Sequence, residues 1–325
     1  MKNLFLSKCF FFISLCVFVA CGSDDSSSDD TVPGSKNSTS GLFQINAGGT
    51  KVRFAPGNLQ ATYNGSAWTW AFAANQWDYV GEYGGNVNYN GANTYINGDG
   101  KVSANGIVDL FGWVGETSTW TEAAQYGISN SITVNNRYTY GNIASESLKS
   151  DWGNTISDGY TWRTLSFSEW TYVFNTRTSG STVNGTLNAR YSYATINTDD
   201  RAVNGIILFP DDITLEANDA TTWGKINSTS QKTECTSAQW ASLAAKGCVF
   251  LPAAGYRYSK TVGNSYQLEV SVRDDGYGCY YWSSSSHTTD VYSAYAFSFD
   301  GSYLNPARSY SRPHGFSVRL VREVE

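Results

Sequence analysis

The sequence predicts an α+β fold in which short helices pack on irregular antiparallel sheets. Three observations carry that expectation. Two helix starts have the form of a capping box, and each leads into only a few turns of helical periodicity. Many short aromatic or β-branched stretches are separated by Gly, Asn and Asp, and two strongly apolar runs end at proline. No stretch repeats at a fixed period, which argues against solenoids and propellers.

Residues 1–20 read as a lipoprotein signal peptide. Lys2 and Lys8 supply a positive start, and the apolar run from Cys9 to Val19 is too short for a comfortable membrane span. It ends Phe18-Val19-Ala20-Cys21, which resembles a lipobox, where small residues precede a cysteine that is diacylated. Cys21 is therefore the expected lipidation site. Residues 21–40 form a Ser/Asp-rich tether: Gly22 to Asp30 has no apolar side chain and cannot fold. Such runs resemble the surface-export signals of some Gram-negative bacteria. The expected address is the outer membrane, facing outward, held by lipid on Cys21.

Residues 41–325 are read as a single ligand-binding domain. Only 15% of the chain is charged and the net charge is −6, so nucleic acid is not an expected partner. The 22 tyrosines and 11 tryptophans against one methionine suit packed β-sheet and contact surfaces alike. Once Cys9, Cys16 and Cys21 are accounted for, Cys235, Cys248 and Cys279 remain in an oxidising compartment. One disulfide and one leftover thiol is the simplest arithmetic. The pair is left open, although Cys235 and Cys248 bracket a predicted helix and could clip it. Neither the cysteine spacings nor the two histidines make a zinc signature, and no cofactor is expected.

In chain order, Leu42 to Ile45 alternates, Gly48-Gly49 turns, and Val52 with Phe54 alternate again. Leu59–Tyr63 and Trp68–Phe72 flank Asn64-Gly65, a hairpin signal. A Gly/Asn/Tyr-rich loop runs from Gly81 to Gly100. Ser166 to Glu169 and Thr236 to Gln239 are the capping boxes; Trp170, Val173 and Phe174 then share one helical face, and Trp240 and Leu243 another, with Gly247 as the stop. The runs Gly205–Phe209 and Cys248–Leu251 are too apolar to be half exposed and stop at Pro210 and Pro252. The last fifty or so residues read as a meander: Tyr280–Ser283, Tyr292–Phe299, an Asp300-Gly301 turn, Ser302–Leu304, and Phe316–Leu320 as its closing strand.

Several blocks together resemble the bacterial major paralogous domain (FISUMP-like) family. They are Asp151-Trp152-Gly153, Trp162-Arg163-Thr164-Leu165 with Ser168-Glu169-Trp170, Asn204-Gly205 with Pro210-Asp211-Asp212, Phe250 to Arg257, Tyr281 to Ser284, and Gly315 to Arg322. That family is similar to the formylglycine-generating-enzyme branch of C-type-lectin-like folds, which includes the variable proteins of diversity-generating retroelements. The resemblance implies a C-type-lectin-like domain whose irregular C-terminal sheet presents a ligand-binding face.

The residues between the last two blocks fit that implication. Ser284 to His314 is rich in Ser, Tyr, Asp and Arg around a sparse apolar frame of Ala294, Ala296, Phe297, Phe299 and Leu304. If the frame faces inward, Tyr292, Tyr295, Tyr303, Asn305, Arg308, Tyr310, Arg312 and His314 are left as a common exposed surface. Tyrosine with small polar residues is also the composition of antibody contact loops. The expected partner is a protein or glycan.

Other classes are weighed against this. A formylglycine-generating-type enzyme needs a redox-active cysteine pair, but the corresponding places hold Ser283 to Ser286 and Ser317-Val318, with Cys279 alone nearby. The acid pairs Asp199-Asp200, Asp211-Asp212 and Asp274-Asp275 read as turn formers rather than catalytic carboxylates. No G-x-S-x-G elbow accompanies His287 or His314. The chain is therefore expected not to be an enzyme. Asn97 to Gly100 could offer oxygens to calcium, yet sugar-binding animal-lectin signatures are absent, so binding is expected not to need the ion. A structural or adhesin role in a surface or pilus assembly is the remaining alternative.

Overall fold

The computed structural model describes residues 40–64, 66–81, 106–115, 125–128, 148–262 and 265–324. Cys21, all of the tether but Ser40, Asn97 to Gly100 and nearly all of the Gly81 to Gly100 loop lie outside the described residues. Strands dominate, helices are few and short, and among the described strand pairs only Thr214–Leu215 with Thr182–Val183 and Thr233–Thr236 with Tyr191–Asn197 are parallel. This is the α+β composition that the sequence predicts.

Two sheets, whose inner strands are buried on both faces, organise the chain. The first has the order β12 (Thr233–Thr236), β9 (Tyr191–Asn197), β10 (Ala202–Leu208), β13 (Val249–Pro252). The proline-terminated runs supply β10 and β13, which pair through Ile206↔Leu251 and Ile207↔Phe250. Ile206, Leu208, Val249 and Leu251 enter one core cluster, and Ile207, Phe209, Cys248 and Phe250 enter another. A strand covered on both sides must be apolar at both parities, which is why these segments read as continuous hydrophobic runs.

The second sheet is β16 (Cys279–Ser286), β17 (Ser293–Phe299), β18 (Leu304–Ser311). Cys279, Tyr281, Phe297 and Phe299 share the core with Ile206 and Leu251. Tyr280, Trp282, Ala294 and Ala296 point the other way, into a cluster with Phe111, Trp113, Trp152 and Phe316. The middle core also takes residues from helix α1 (Phe167–Thr171) and from the sheet β1 (Phe43–Gln44), β2 (Lys51–Phe54), β19 (Leu320–Glu323), β6 (Arg163–Thr164). The Phe316 side is completed by the sheet β4 (Trp68–Phe72), β3 (Leu59–Tyr63), β5 (Ile107–Val108). Behind the first sheet lie helix α2 (Ser237–Ala245) and the small sheet β11 (Thr214–Leu215), β7 (Thr182–Val183), β8 (Thr186–Leu187). A two-stranded ribbon, β14 (Tyr256–Val262) with β15 (Ser265–Arg273), carries a bulge between Arg257 and Ser259.

Both capping boxes form. Ser166 Oγ accepts from the Glu169 N–H while the Glu169 carboxylate accepts from the Ser166 N–H at 2.7 Å. The same carboxylate takes two guanidinium N–H groups of Arg163 at 2.8 and 2.9 Å. One π-turn, Tyr172–Thr176, continues α1, so Trp170 and Phe174 both lie on Phe297, with ring centroids 5.6 and 4.4 Å away. Thr236 and Gln239 cap α2, and Gly247 ends it at φ +91°, a left-handed conformation that costs glycine little.

The blocks behind the family resemblance hold the cores together. Asp151 accepts from the Gly153 N–H, the Thr164 N–H and the Thr164 hydroxyl; a Cβ at Gly153 would run into the Trp162 carbonyl. Arg319 is fully buried and donates to Asn58 Oδ1 and to the carbonyls of Ala55 and Phe250. Burial pulls its guanidinium down to about 10, which still leaves it charged at neutral pH.

Three sequence expectations change in detail. The closing strand does not continue the meander: Phe316 bridges to Phe111, and Leu320–Glu323 crosses to β2 and β6, where Leu320 pairs with Thr164 and Val321 with Phe54. The expected disulfide is not formed. Cys235, Cys248 and Cys279 are buried free thiols; the first two flank α2 as packing residues of one core, and Cys279 belongs to a different core. Burial pushes the Cys235 thiol up to about 12 and raises the other two. The Asn64 hairpin forms with a four-residue loop, because Asn64 Oδ1 accepts from the Ser66 and Ala67 N–H groups and widens the turn.

Candidate functional site

The eight residues expected on one exposed face separate into groups, because the central strand of their sheet, β17, is covered on both sides. Pairing of Ala294 with Tyr310, Ala296 with Arg308 and Ser298 with Asn305 puts Asn305, Arg308 and Tyr310 on the Tyr280 side. Tyr295 has the opposite parity: its ring lies 4.5 Å from Phe167 of α1 and 5.1 Å from His287. Tyr303 stands on the β17–β18 turn, 61% exposed, where Asp300 Oδ1 accepts from the Ser302 and Tyr303 N–H groups. Tyr292 is half-buried just before β17, and its carbonyl accepts from the Arg312 N–H.

Arg312 is a correction. It is fully buried, with its guanidinium 4.5 Å from the Trp113 ring and Nε donating to the Ser293 carbonyl. Burial draws it down to about 10. Its place is under the surface, and its alternation with exposed neighbours in the sequence is broken where the chain leaves β18 at Ser311.

What the fold does bring together is a row of rings at the base of the β14–β15 ribbon. His314 stacks on Tyr258, with centroids 5.4 Å apart and planes 23° apart, and lies 6.4 Å from Tyr310. Tyr256 sits behind, 5.7 Å from His314 and 4.6 Å from Tyr280. Tyr310 is anchored edge-on against Phe316 at 4.9 Å. Each end of the row carries a guanidinium: Arg273 lies 3.7 Å over Tyr258, and Arg308 lies 5.2 Å from the Tyr310 centroid. Tyr256, Tyr258, Tyr310 and His314 keep part of their surface, and both arginines are exposed.

The electrostatics follow from this crowding. Burial first, then the nearby Arg257 and Arg273, push His314 down to about 3, so it is neutral at physiological pH. Burial also raises the Tyr256 and Tyr310 phenols. The Tyr280 hydroxyl donates to Asp274 Oδ2 at 2.6 Å, and burial with that bond raises it strongly.

Three members of the row, Tyr256, Tyr258 and Arg273, escape the sequence reading because they come from the ribbon some forty residues upstream. Their signal was the alternation Tyr256-x-Tyr258, next to a block used only for family resemblance. The acid pairs occupy turns: Asp199 and Asp200 lie in the β9–β10 loop closed by the Thr198 N–H to the Arg201 carbonyl, and Asp212 and Asp274 have φ of +62° and +56°. Asp211 is instead paired with buried Arg177. Among the described residues, no group of three or more His, Cys, Asp and Glu side chains is placed to hold a metal ion.

No protein-family model, curated protein or solved structure matches the chain.

Proposed function

We propose that this chain is a lipoprotein of the outer-membrane surface that binds a protein or glycan and catalyses nothing, through a C-type-lectin-like domain tethered by lipid on Cys21. One observation carries the reading. Rings from two distant segments, Tyr256 and Tyr258 from the ribbon and Tyr310 and His314 from the C-terminal sheet, converge into a partly exposed row with a guanidinium on each end. Aromatic rings and arginines on a rigid support are the groups that dominate binding energies at contact surfaces. The resemblance to the major paralogous domain family supports the fold assignment, since the early capped helix and the closing segment meet in one core through Trp170 and Val321.

The test is binding of the intact lipoprotein to host cells and extracts, with Tyr258→Ala as the perturbation. Truncating one contact ring is expected to weaken binding at least about tenfold without altering the near-ultraviolet circular dichroism of the fold. A folded variant that binds as well as the parent overturns the reading. Cys21→Ser is expected to move the protein out of the membrane fraction.

A further inference from the structure

Two tyrosines project from turns beside the row. Tyr277, 71% exposed, stands on the β15–β16 turn, and Tyr303 on the β17–β18 turn. Among the described residues neither side chain has a ring, cation or hydrogen-bond partner, whereas exposed Tyr160 has the Arg322 guanidinium 3.9 Å from its ring centroid. The two turns are neighbours: a Cβ on Gly301 would lie 3.8 Å from the Tyr277 carbonyl oxygen. Both are fixed to the body of the domain. The Tyr277 N–H donates to the Asp274 carbonyl, the Gly276 N–H to the Ala253 carbonyl, and Asn204 Nδ2 to the Gly276 carbonyl at 2.8 Å. On the other turn Asp300 Oδ1 holds the Ser302 and Tyr303 N–H groups, and Thr229 Oγ1 donates to the Ser302 carbonyl at 2.9 Å. Exposed rings on a backbone already held in place give up little freedom when a partner covers them.

Shape and charge together name the kind of partner. The rings of the row already lie against one another and against Arg273, Arg308 and Phe316. The free rings are those of Tyr277 and Tyr303, and a ring that projects from a turn needs a pocket to enter. A folded protein brings such pockets, whereas a small ligand or sugar unit is itself taken up by a concave site. The surroundings carry both signs. Exposed Asp274, Asp275 and Asp300 stand among exposed Arg273 and Arg308; Asp300 acts electrostatically on Arg308, and Asp274 on Tyr256 and Tyr310 of the row. A mixed field of this kind does not select a polyanion. It selects one orientation of a surface that also carries both charges.

We infer that a folded protein docks on these two turns and the adjoining row, with Tyr277 and Tyr303 inserted into pockets of the partner. The inference rests on the binding face proposed above, extends it to Tyr277 and selects protein over glycan.

The experiment measures binding of the full lipoprotein to host cells left untreated, shaved with trypsin, or oxidised with mild periodate. The parent, Tyr277→Ala, Tyr303→Ala, the double variant Tyr277→Ala/Tyr303→Ala and Tyr258→Ala are run in parallel. Trypsin is expected to abolish binding of the parent, and periodate, which opens sugar rings and spares polypeptide, to leave it. Each single variant on the two turns is expected to lose at least about tenfold in affinity, and the double variant more. Their urea midpoints are expected to match the parent's, because both side chains stand in solvent. Loss of binding on periodate treatment overturns the inference in favour of a glycan, and binding that survives trypsin overturns it as well. So does a double variant that binds as tightly as the parent. If that variant keeps binding while Tyr258→Ala loses it, the row stands and the two turns fall; a parent that binds no host cells sinks both readings.

Discussion

Removing the Asp211 carboxylate is expected to cost the fold about 3–5 kcal/mol, the range for breaking a buried ion pair from one side. Arg177 is fully buried and Asp211 nearly so, and Nη1 meets Oδ1 at 2.8 Å. The guanidinium also donates to the Phe209 carbonyl at 2.8 Å and lies 5.0 Å from the Phe43 ring centroid. Burial draws Arg177 down to about 10, and Asp211 is the main influence opposing that shift. Asp211→Ala therefore leaves a cation inside the protein with carbonyl partners alone, and strips the Gln44 N–H of its acceptor. Against a typical total stability of about 5–15 kcal/mol, such a loss is a large share. Urea unfolding followed by the fluorescence of the 11 tryptophans measures it. Adding Arg177→Met to Asp211→Ala removes the lone charge and is expected to recover about 2 kcal/mol or more. A single-variant cost below about 1 kcal/mol, or a further loss when Arg177→Met is added, would refute the reasoning.

Two other outcomes follow from the burial of titratable groups. His314 has its folded value pushed from 6.5 down to about 3, so the unfolded chain binds its proton first; stability is complete above 6.5 and declines as the pH falls toward 3, by about 2 kcal/mol between about pH 7 and 5. His314→Gln should flatten the urea midpoint over that interval, and a slope that persists shows that another group is responsible. Cys235, Cys248 and Cys279 should resist a thiol reagent in the native protein lacking residues 1–30 and all react in denaturant; a mass two hydrogens light, or rapid native labelling, contradicts their burial as free thiols.

Local signals were legible in the sequence wherever one segment decides its own structure. The two capping boxes, the left-handed stop at Gly247 and the turns under the Asp pairs rest on side chains a few residues apart, and all appear in place. Partner choice is not local. Phe316 to Leu320 alternates like a meander strand, but nothing in that alternation reveals that Val321 will meet Phe54 rather than β18. The exposed-face argument failed for a reason visible in the residues themselves. Ala294 and Ala296 hold one parity while Phe297 and Phe299 hold the other, so the strand needs cover on both sides and cannot spare a whole face for solvent. Asn305, Arg308, Tyr310 and His314 still fell near one another because they lie where that cover ends.

The outer strand of the C-terminal sheet has a further consequence for how copies of the chain meet one another. Among the described residues β18 is an edge, and an edge normally invites another chain to zip onto it. Here Pro306 has no amide proton to offer, Asn305 Oδ1 already receives the Ala307 N–H at 2.9 Å, and the pairing register slips between Ala296 and Ser298. A neighbour approaching side-on would find the amide ladder interrupted at mid-strand, so copies held at high local concentration could stay side by side without fusing into fibres.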